Sequence, residues 1–435
     1  MLTKFKLANF KSYKESTLEL GPLTLLIGAN ASGKSNVLEG FQMLSWLARG
    51  RRLDDVFRAV QESELTIRGT VADLTYNQAD AFTLGCSLRH DSIWTGLEAE
   101  IAVGNNGMRI QQERILSPNE QLPLYWVAQD SHGVSNNLLV TYNNFSPGPN
   151  KPQVTCTDQL AVFTQLQTPA RFAERHKRSQ KDIPAVTKAF MDALSSVLFL
   201  DPSPRRMRGY SFIVDKVLKG DGANISSTLF DLCDTQQAKD KVLAFVRDLP
   251  EQDIADIKFL SGPRREVMVQ FAESFGGRRE LRDATVLSDG SLRVVAVAAA
   301  LLSAAEGSTV VVEEIDNGVH PSRAKTLLAN IERVAKERKL VVVLTSHNPA
   351  LLDALPVTSL PNVVFCYRDP ECGDSRLVRL SDLPAYPELV AQGPLGRLLT
   401  QGIVDRFVKT ATTPEQQVQQ KLHWIEELEK TSAAS

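Results

Sequence analysis

Paired cysteines, long apolar runs and an excess of charge are all missing from this chain. Its five cysteines, at positions 86, 156, 233, 366 and 372, form no C-x-x-C. An odd number of scattered thiols argues against a disulfide framework and fits the reduced thiols of a cytoplasmic protein. No stretch reaches the ~18–20 apolar residues that cross a bilayer. The longest, Val294 to Ala305, is Ala-rich and reads as a buried helix. The charged start, Met1 to Lys6, leads into no apolar run, so no signal peptide and no membrane partner are expected. The formal net charge is −2, from 49 Lys and Arg against 51 Asp and Glu. The global field therefore attracts no nucleic acid, and any such contact must come from local patches. Internal repeats, low-complexity segments and sustained heptads are also absent, which excludes a long coiled-coil arm. What is present, 43% hydrophobic and 23% charged residues over 435, suits a globular protein with one large core or two moderate ones.

The stretch around which the rest is organised is Gly28-Ala29-Asn30-Ala31-Ser32-Gly33-Lys34-Ser35-Asn36, which fits the phosphate-loop pattern G-x-x-x-x-G-K-[ST]. Leu23 to Ile27 before it reads as a buried strand, and Asn36 to Leu44 after it as a helix with apolar residues at 37, 38, 41 and 44. Gly28 and Gly33 let the backbone approach an anion. Successive N–H groups from Asn30 through Ser32 to Asn36 and the helix N-terminus then cradle phosphates. Lys34 is placed to reach the β- and γ-phosphates of ATP, and the Ser35 hydroxyl to hold Mg²⁺.

Along the chain, Leu2 to Phe10 and Ser16 to Leu20 read as two strands feeding the phosphate-loop strand. Residues 65–200 form an insertion that is first β-like, with alternation over 65–71, 81–88, 97–103 and 108–110, and then helical from Gln159 to Val197. From 201 to 390 the chain turns α/β: helices at Ala223 to Leu232, Gln236 to Leu249, Ser291 to Ala305 and Ser322 to Arg338 surround apolar strands at Ser308 to Ile315 and Leu340 to Leu344. Val-rich continuous runs of this kind fit a parallel sheet covered on both faces. Val363 to Tyr367 and Ser375 to Leu380 read as a hairpin, and 391–435 as a helical tail with a polar helix over 414–430. The expected organisation is an N-terminal lobe (1–64), the insertion (65–200), a second lobe (201–390) and the tail.

Three further segments carry chemistry. Thr309 to Val312 ends in Glu313 and Glu314, at the strand end where open α/β sheets place ligands. One acid can bind Mg²⁺ and the other orient or deprotonate a water, and as strand neighbours they face opposite ways. Leu287-Ser288-Asp289-Gly290-Ser291 opens the Ala-rich helix, so Ser288 and Gly290 make a second anion site at a helix N-terminus. Thr345-Ser346-His347-Asn348-Pro349 directly follows the strand Leu340 to Leu344, which places His347 at a strand end.

Taken in order, Phe5 to Tyr13, Gly28 to Asn36, Leu287 to Ser291, Glu313-Glu314 and His347 resemble the ABC-type ATPases of the structural-maintenance-of-chromosomes (SMC) and RecF group. More narrowly, they resemble stand-alone bacterial AAA family ATPases related to the overcoming-lysogenisation-defect proteins. The resemblance implies a P-loop NTPase head with two ATP molecules sandwiched between two copies. It implies Glu314 as catalytic base, Glu313 as Mg²⁺ ligand and His347 as γ-phosphate sensor, with Ser288, Asp289 and Gly290 acting on the partner's nucleotide. Asp289 and Ser291 depart from the commonest signature, and Glu313 replaces a more frequent Asp.

The resemblance also implies a homodimer or higher oligomer joined through ATP, DNA as a possible partner, and a setting in anti-phage defence or DNA repair. Too little chain follows His347 for a separate nuclease domain, so an effector or nuclease is expected on a partner chain. Arg49, Arg51 and Arg52, then Arg171, Arg175, Lys177 and Arg178, then Arg205, Arg206 and Arg208, and finally Arg264, Arg265, Arg278, Arg279 and Arg282 are the basic clusters. Each is a candidate DNA contact, and the cluster at 205–208 could instead touch nucleotide. Two rival readings remain open: a nucleotide-gated scaffold with little turnover, and a transporter ATP-binding subunit.

Overall fold

A computed structural model describes residues 1–62, 65–104, 107–129, 137–247, 254–275, 278–317, 321–384 and 386–409. The expected helix over 414–430 lies outside these residues.

The Val-rich runs form the sheet their composition demands. A six-stranded sheet has the order Leu198–Leu200, Thr309–Val312, Val341–Ser346, Leu23–Ile27, Val363–Arg368, Ser375–Arg379. All neighbours are parallel except the last pair, which is the expected hairpin. Alternate residues point to opposite faces, and each face has its own core. Leu25, Val310, Val312, Val342 and Leu344 pack into one cluster, and Leu26, Val311, Val343 and Val364 into the other. Charged side chains have no place in such a strand until it ends, so the acids collect at its carboxyl edge.

The second sheet is antiparallel and eight-stranded. It runs Tyr13–Glu19, Leu2–Phe10, Ala81–Leu88, Gly96–Gly104, Gly107–Leu116, Tyr125–Gln129, Asn137–Tyr142, Gln153–Thr157. Leu2–Phe10 hydrogen-bonds to Ala81–Leu88, so the N-terminal segment and the insertion share this sheet. Its inner face packs on the helix Lys34–Ala48, with Phe5 stacked on Phe41 at 4.8 Å. Its outer face is polar, and Glu98 there pairs with Lys6 (3.7 Å) and Arg114 (2.7 Å). The helix Lys177–Ser195 also packs on Lys34–Ala48.

A third, smaller sheet centres on Glu266–Phe275, flanked by Ile254–Gly262 on one side and by Ser211–Phe212 and Arg278–Asp283 on the other. The helices Ile225–Leu232, Gln236–Val246 and Asp289–Ser303 join it to the parallel sheet.

Two expected elements differ. Residues 65–71 form no strand: Leu65 and Ile67 are buried, but Gly69 takes φ 93° and Thr70 to Asp73 close a capped turn. Between 159 and 197 only Val162–Gln165 and Lys177–Ser195 are α-helical. Among the described residues no helix is long and apolar enough to cross a membrane.

Candidate nucleotide site

The strand Leu23–Ile27 delivers the chain to the phosphate loop at the carboxyl edge of the parallel sheet, and Lys34–Ala48 carries it away. Ala31 (φ 61°) and Gly33 (φ 118°) turn left-handed within the loop, the kind of backbone that lets N–H groups converge on an anion. A Cβ on Gly28 would stand 2.2 Å from the Cys366 carbonyl oxygen, and one on Gly33 would stand 2.4 Å from Ser375 Oγ. Both positions therefore demand glycine.

Beneath the loop, Tyr13 Oη donates to Gly33 O (3.1 Å) and Cys366 Sγ to Ser32 O (3.3 Å). The Asn36 amide donates to Ser12 Oγ at 2.7 Å, and so does Ser375 Oγ, also at 2.7 Å. Lys34 Nζ donates to the Gly28 (2.6 Å) and Ala29 (3.0 Å) carbonyls. Burial lowers the pKa of its ammonium, against the opposing pull of Cys366, Glu314 and Asp316.

The acids emerge two strands away from the loop. Glu313 N donates to Leu200 O (3.0 Å), Glu314 N to Thr345 Oγ1 (2.9 Å) and Ile315 N to Thr345 O (3.1 Å). The acidic turn is thus tied to both neighbouring strands. Glu313 is partly buried, and its carboxyl is pushed up to about 7 by burial first and then by the charges of Asp201, Glu314 and Glu39. Glu314 is exposed, takes φ 45° and accepts from the Asn317 amide. His347 Nε2 stands 3.9 Å from Asp316 Oδ2. The Asp316 side chain is only 7% exposed, and its Oδ1 has no hydrogen-bond partner among the described residues.

One cleft of about 490 Å³ brings most of these together, within the size range of small-molecule sites. Asn30, Gly33, Lys34, Ser35 and Asn36 line one wall, and Glu313, Glu314 and His347 the other. Gly28 and Ser32 are buried behind the loop. Ser288, Asp289 and Gly290 do not line the cleft. Ser288 instead caps Asp289–Ser303, its Oγ accepting from Ser291 N at 3.1 Å.

Sequence reasoning missed several contributors. Lys11 and Arg68 line the cleft and clasp the buried Glu39: Lys11 Nζ pairs with Glu39 Oε2, and Arg68 Nε donates to Oε1 at 2.7 Å. Lys11 lies within the quoted Phe5 to Tyr13 segment, but nothing local names Glu39 as its partner. Arg368 reaches the loop from the hairpin, donating to Ala31 O at 3.3 Å. Asp201 ends the strand beside the acidic one, and burial raises its pKa, with Arg293 opposing.

The basic clusters are largely engaged elsewhere. Arg206 pairs with Asp221 (2.7 Å), Arg282 with Glu273 (2.9 Å) and Arg178 with Asp182 (3.1 Å). None of Arg205, Arg206 and Arg208 lines the cleft. Asp369, Cys372 and Asp374 cluster in the hairpin turn, where Arg376 already serves both carboxylates at 3.0 and 3.5 Å.

Comparison with known proteins gives family matches over two stretches of the chain. Residues 1–87 match the family described as "AAA ATPase domain", and residues 168–353 the one described as "AAA domain, putative AbiEii toxin, Type IV TA system". The DNA replication and repair protein RecF of Gloeobacter violaceus is 36% identical over 119 residues, which is 26% of this chain and 28% of that protein. RecF of Brucella abortus is 31% identical over 143 residues, 31% of this chain and 33% of that protein. The matched segments thus span a minor part of these relatives. Among solved structures, an SMC head bound to the C-winged helix domain of ScpA aligns at 12% identity with TM-score 0.47, over 87% of this chain and 97% of that one. The SMC head domain from Thermotoga maritima aligns at 13% identity with TM-score 0.39, over 87% and 98%. The first family match contains the phosphate loop and ends in the strand beside Leu2–Phe10, and the second contains both the turn at Ser288 and the acidic strand; the similarity is to ABC-type P-loop ATPases of the SMC/RecF-like group.

Proposed function

We propose that the chain binds and hydrolyses Mg-ATP in this cleft as one half of a two-copy sandwich. One observation carries the reading: the cleft gathers the phosphate loop, both acids and His347 but leaves Ser288 and Gly290 outside. A second copy is then the source of the missing wall. Lys34 and the loop N–H groups hold the β- and γ-phosphates. Glu314 accepts the proton of the attacking water, and His347 touches the γ-phosphate. Ser288, Asp289 and Gly290 of the second copy close over the same phosphates with the positive end of their helix.

The residues present suit magnesium. Ser35 and Glu313 are hard oxygen donors, and the partly buried Glu313 lies among the negative charges of Asp201 and Glu314 that a cation neutralises. Bound there, Mg²⁺ supplies charge compensation for the phosphates. Pocket room beside the loop suits the nucleoside: a second hollow of about 380 Å³, sharing Lys11, Asn36, Arg68 and Arg368, adjoins the cleft.

Because the nucleotide is itself interface, ATP and dimerisation are one equilibrium. In this reading the dimer acts as a sensor or motor in a DNA-related process in the cytoplasm, either bacterial anti-phage defence or repair, with an effector on a partner chain. The matched RecF proteins are named for DNA replication and repair, and one matched family is described by an AbiEii toxin, which supports this setting.

The test is the solution mass of Glu314→Gln by light scattering with and without Mg-ATP. A monomer that becomes a dimer only with Mg-ATP is expected. A mass that does not respond to nucleotide would overturn the sandwich.

A further inference from the structure

The segment from Asp201 to Arg208 connects the two halves of the proposed site. Asp201 ends the strand Leu198–Leu200, whose Leu200 carbonyl holds Glu313 N at 3.0 Å. From there the chain runs as a braced strut. Asp201 N donates to Gly220 O (2.8 Å) and Ser203 N to Asp221 O (2.9 Å), while Arg206 pairs with the Asp221 carboxylate at 2.7 Å. Pro202, Pro204 and Met207 are buried, and the Met207 side chain packs so closely on Gly222 that a Cβ there would stand 3.0 Å from Met207 Cγ. Prolines and buried contacts leave such a segment little freedom.

The strut ends in Arg208, whose side chain spans the signature turn. Nη2 donates to Leu287 O (2.8 Å) and Asp289 Oδ1 (2.7 Å), and Nε to Thr285 O (3.3 Å). A guanidinium is suited to this, because its planar fork serves several acceptors at fixed angles. Asp289, which departs from the commonest signature, thereby has a local use: its carboxylate anchors the fork next to the Ser288 cap.

We propose that Arg208 is a positioning residue for the signature turn: it fixes the Ser288–Gly290 backbone in the pose that meets the second copy's nucleotide. It couples that turn through the 201–208 strut to the Glu313 end of its own cleft. Arg208 does not line the cleft of its own chain, so its effect falls on pairing and not on nucleotide capture. The inference rests on the two-copy reading above.

The test uses the full chain carrying Glu314→Gln, alone and combined with Arg208→Ala, Arg208→Lys or Ser288→Arg. Two quantities are read: Mg-ADP affinity by calorimetry, which needs no second copy, and Mg-ATP-dependent dimerisation by light scattering across protein concentration. Arg208→Ala should keep its thermal midpoint and Mg-ADP affinity. It should need about tenfold or more higher protein concentration to dimerise, the scale of a lost charge-assisted hydrogen bond. Arg208→Lys should fall between, since a single ammonium cannot serve all three acceptors. Unchanged dimerisation in Arg208→Ala, with Ser288→Arg blocked, would overturn this inference and leave the two-copy reading intact. Unchanged dimerisation in Ser288→Arg would overturn both. Loss of Mg-ADP affinity in Arg208→Ala would also overturn it, since the residue would then brace the whole lobe.

Discussion

Replacing Gly33 by Ala tests whether the phosphate loop works through its backbone shape. Gly33 holds φ 118° at the N-cap of Lys34–Ala48. This is far from the left-handed basin near about +57° that L residues tolerate, and side chains held in such regions cost about 1–3 kcal/mol. The added Cβ would also stand 2.4 Å from Ser375 Oγ and 2.8 Å from Ser375 Cβ. Overpacking of that kind costs roughly 1–3 kcal/mol. The free protein can relieve both by shifting the loop, so the cost reappears when a ligand demands the original shape. About 3 kcal/mol in total predicts Mg-ADP affinity weakened about a hundredfold. Combining Gly33→Ala with Ser375→Gly removes the collision but not the φ cost, so about tenfold of the loss should return. Calorimetric titration of the three variants separates the terms. Affinity of Gly33→Ala within about twofold of the parent, well under the 1.4 kcal/mol of a tenfold change, would refute the reasoning. So would an absence of recovery in the double variant.

Other outcomes follow from the same geometry. Lys34→Ala removes the charge that bridges the loop carbonyls and the proposed phosphates, and Mg-ATP binding should fall by about a hundredfold or more, since charged hydrogen bonds to phosphate are among the strong ones. Retained affinity would remove the cleft from consideration. Away from the cleft, buried Glu113 accepts from Tyr125 Oη (2.6 Å), Val162 N (2.7 Å) and Phe163 N (2.6 Å), yet burial still pushes its carboxyl up to about 7 from 4.5. Its contribution is full below the unfolded value and is lost as pH rises through the folded one, a fall in stability of up to about 3 kcal/mol. Urea unfolding at about pH 5 and about pH 8 should show this loss in the parent and a flatter profile in Glu113→Gln; equal slopes would exclude Glu113 as its source.

What could be read from the sequence was local. The phosphate loop is one contiguous pattern between a strand and a helix, and the helix Lys34–Ala48 contains the whole Asn36 to Leu44 stretch read as helical. The parallel sheet followed from Val-rich strands buried on both faces, although the order of its strands did not. Residues 65–71 misled because Leu65 and Ile67 are buried in a loop and so mimic the alternation of a strand, while Gly69 and the Thr70–Asp73 turn prevent pairing. The ion pairs that shape the cleft and the turn at Ser288 join residues far apart in sequence. Glu39 lies 28 residues from Lys11 and 29 from Arg68, and Asp289 lies 81 from Arg208. No periodicity reports such partners. Arg208 could be read from sequence only as one of a basic run, and its use depends on the fold that brings 201–208 beside 285–289.

The parent chain carries its own argument for why the site should wait for a second copy. Its carboxyl edge concentrates features that cost stability in an isolated chain: left-handed backbone at Ala31 and Glu314, a carboxyl at Glu313 pushed up to about 7, and buried Ser32 Oγ and Asp316 Oδ1 without partners among the described residues. Strain and unsatisfied groups of this kind persist only where the surrounding structure over-determines them. The six-stranded sheet does so here, because Leu200, Thr345 and Cys366 on neighbouring strands hold the acidic turn and the phosphate loop from behind. A rigid frame of this kind cannot swing Ser288 from its cap on Asp289–Ser303 into its own cleft. Under the proposed reading, the open wall is closed by adding a copy and not by folding the chain over itself, which makes the assembled state depend on both nucleotide and protein concentration.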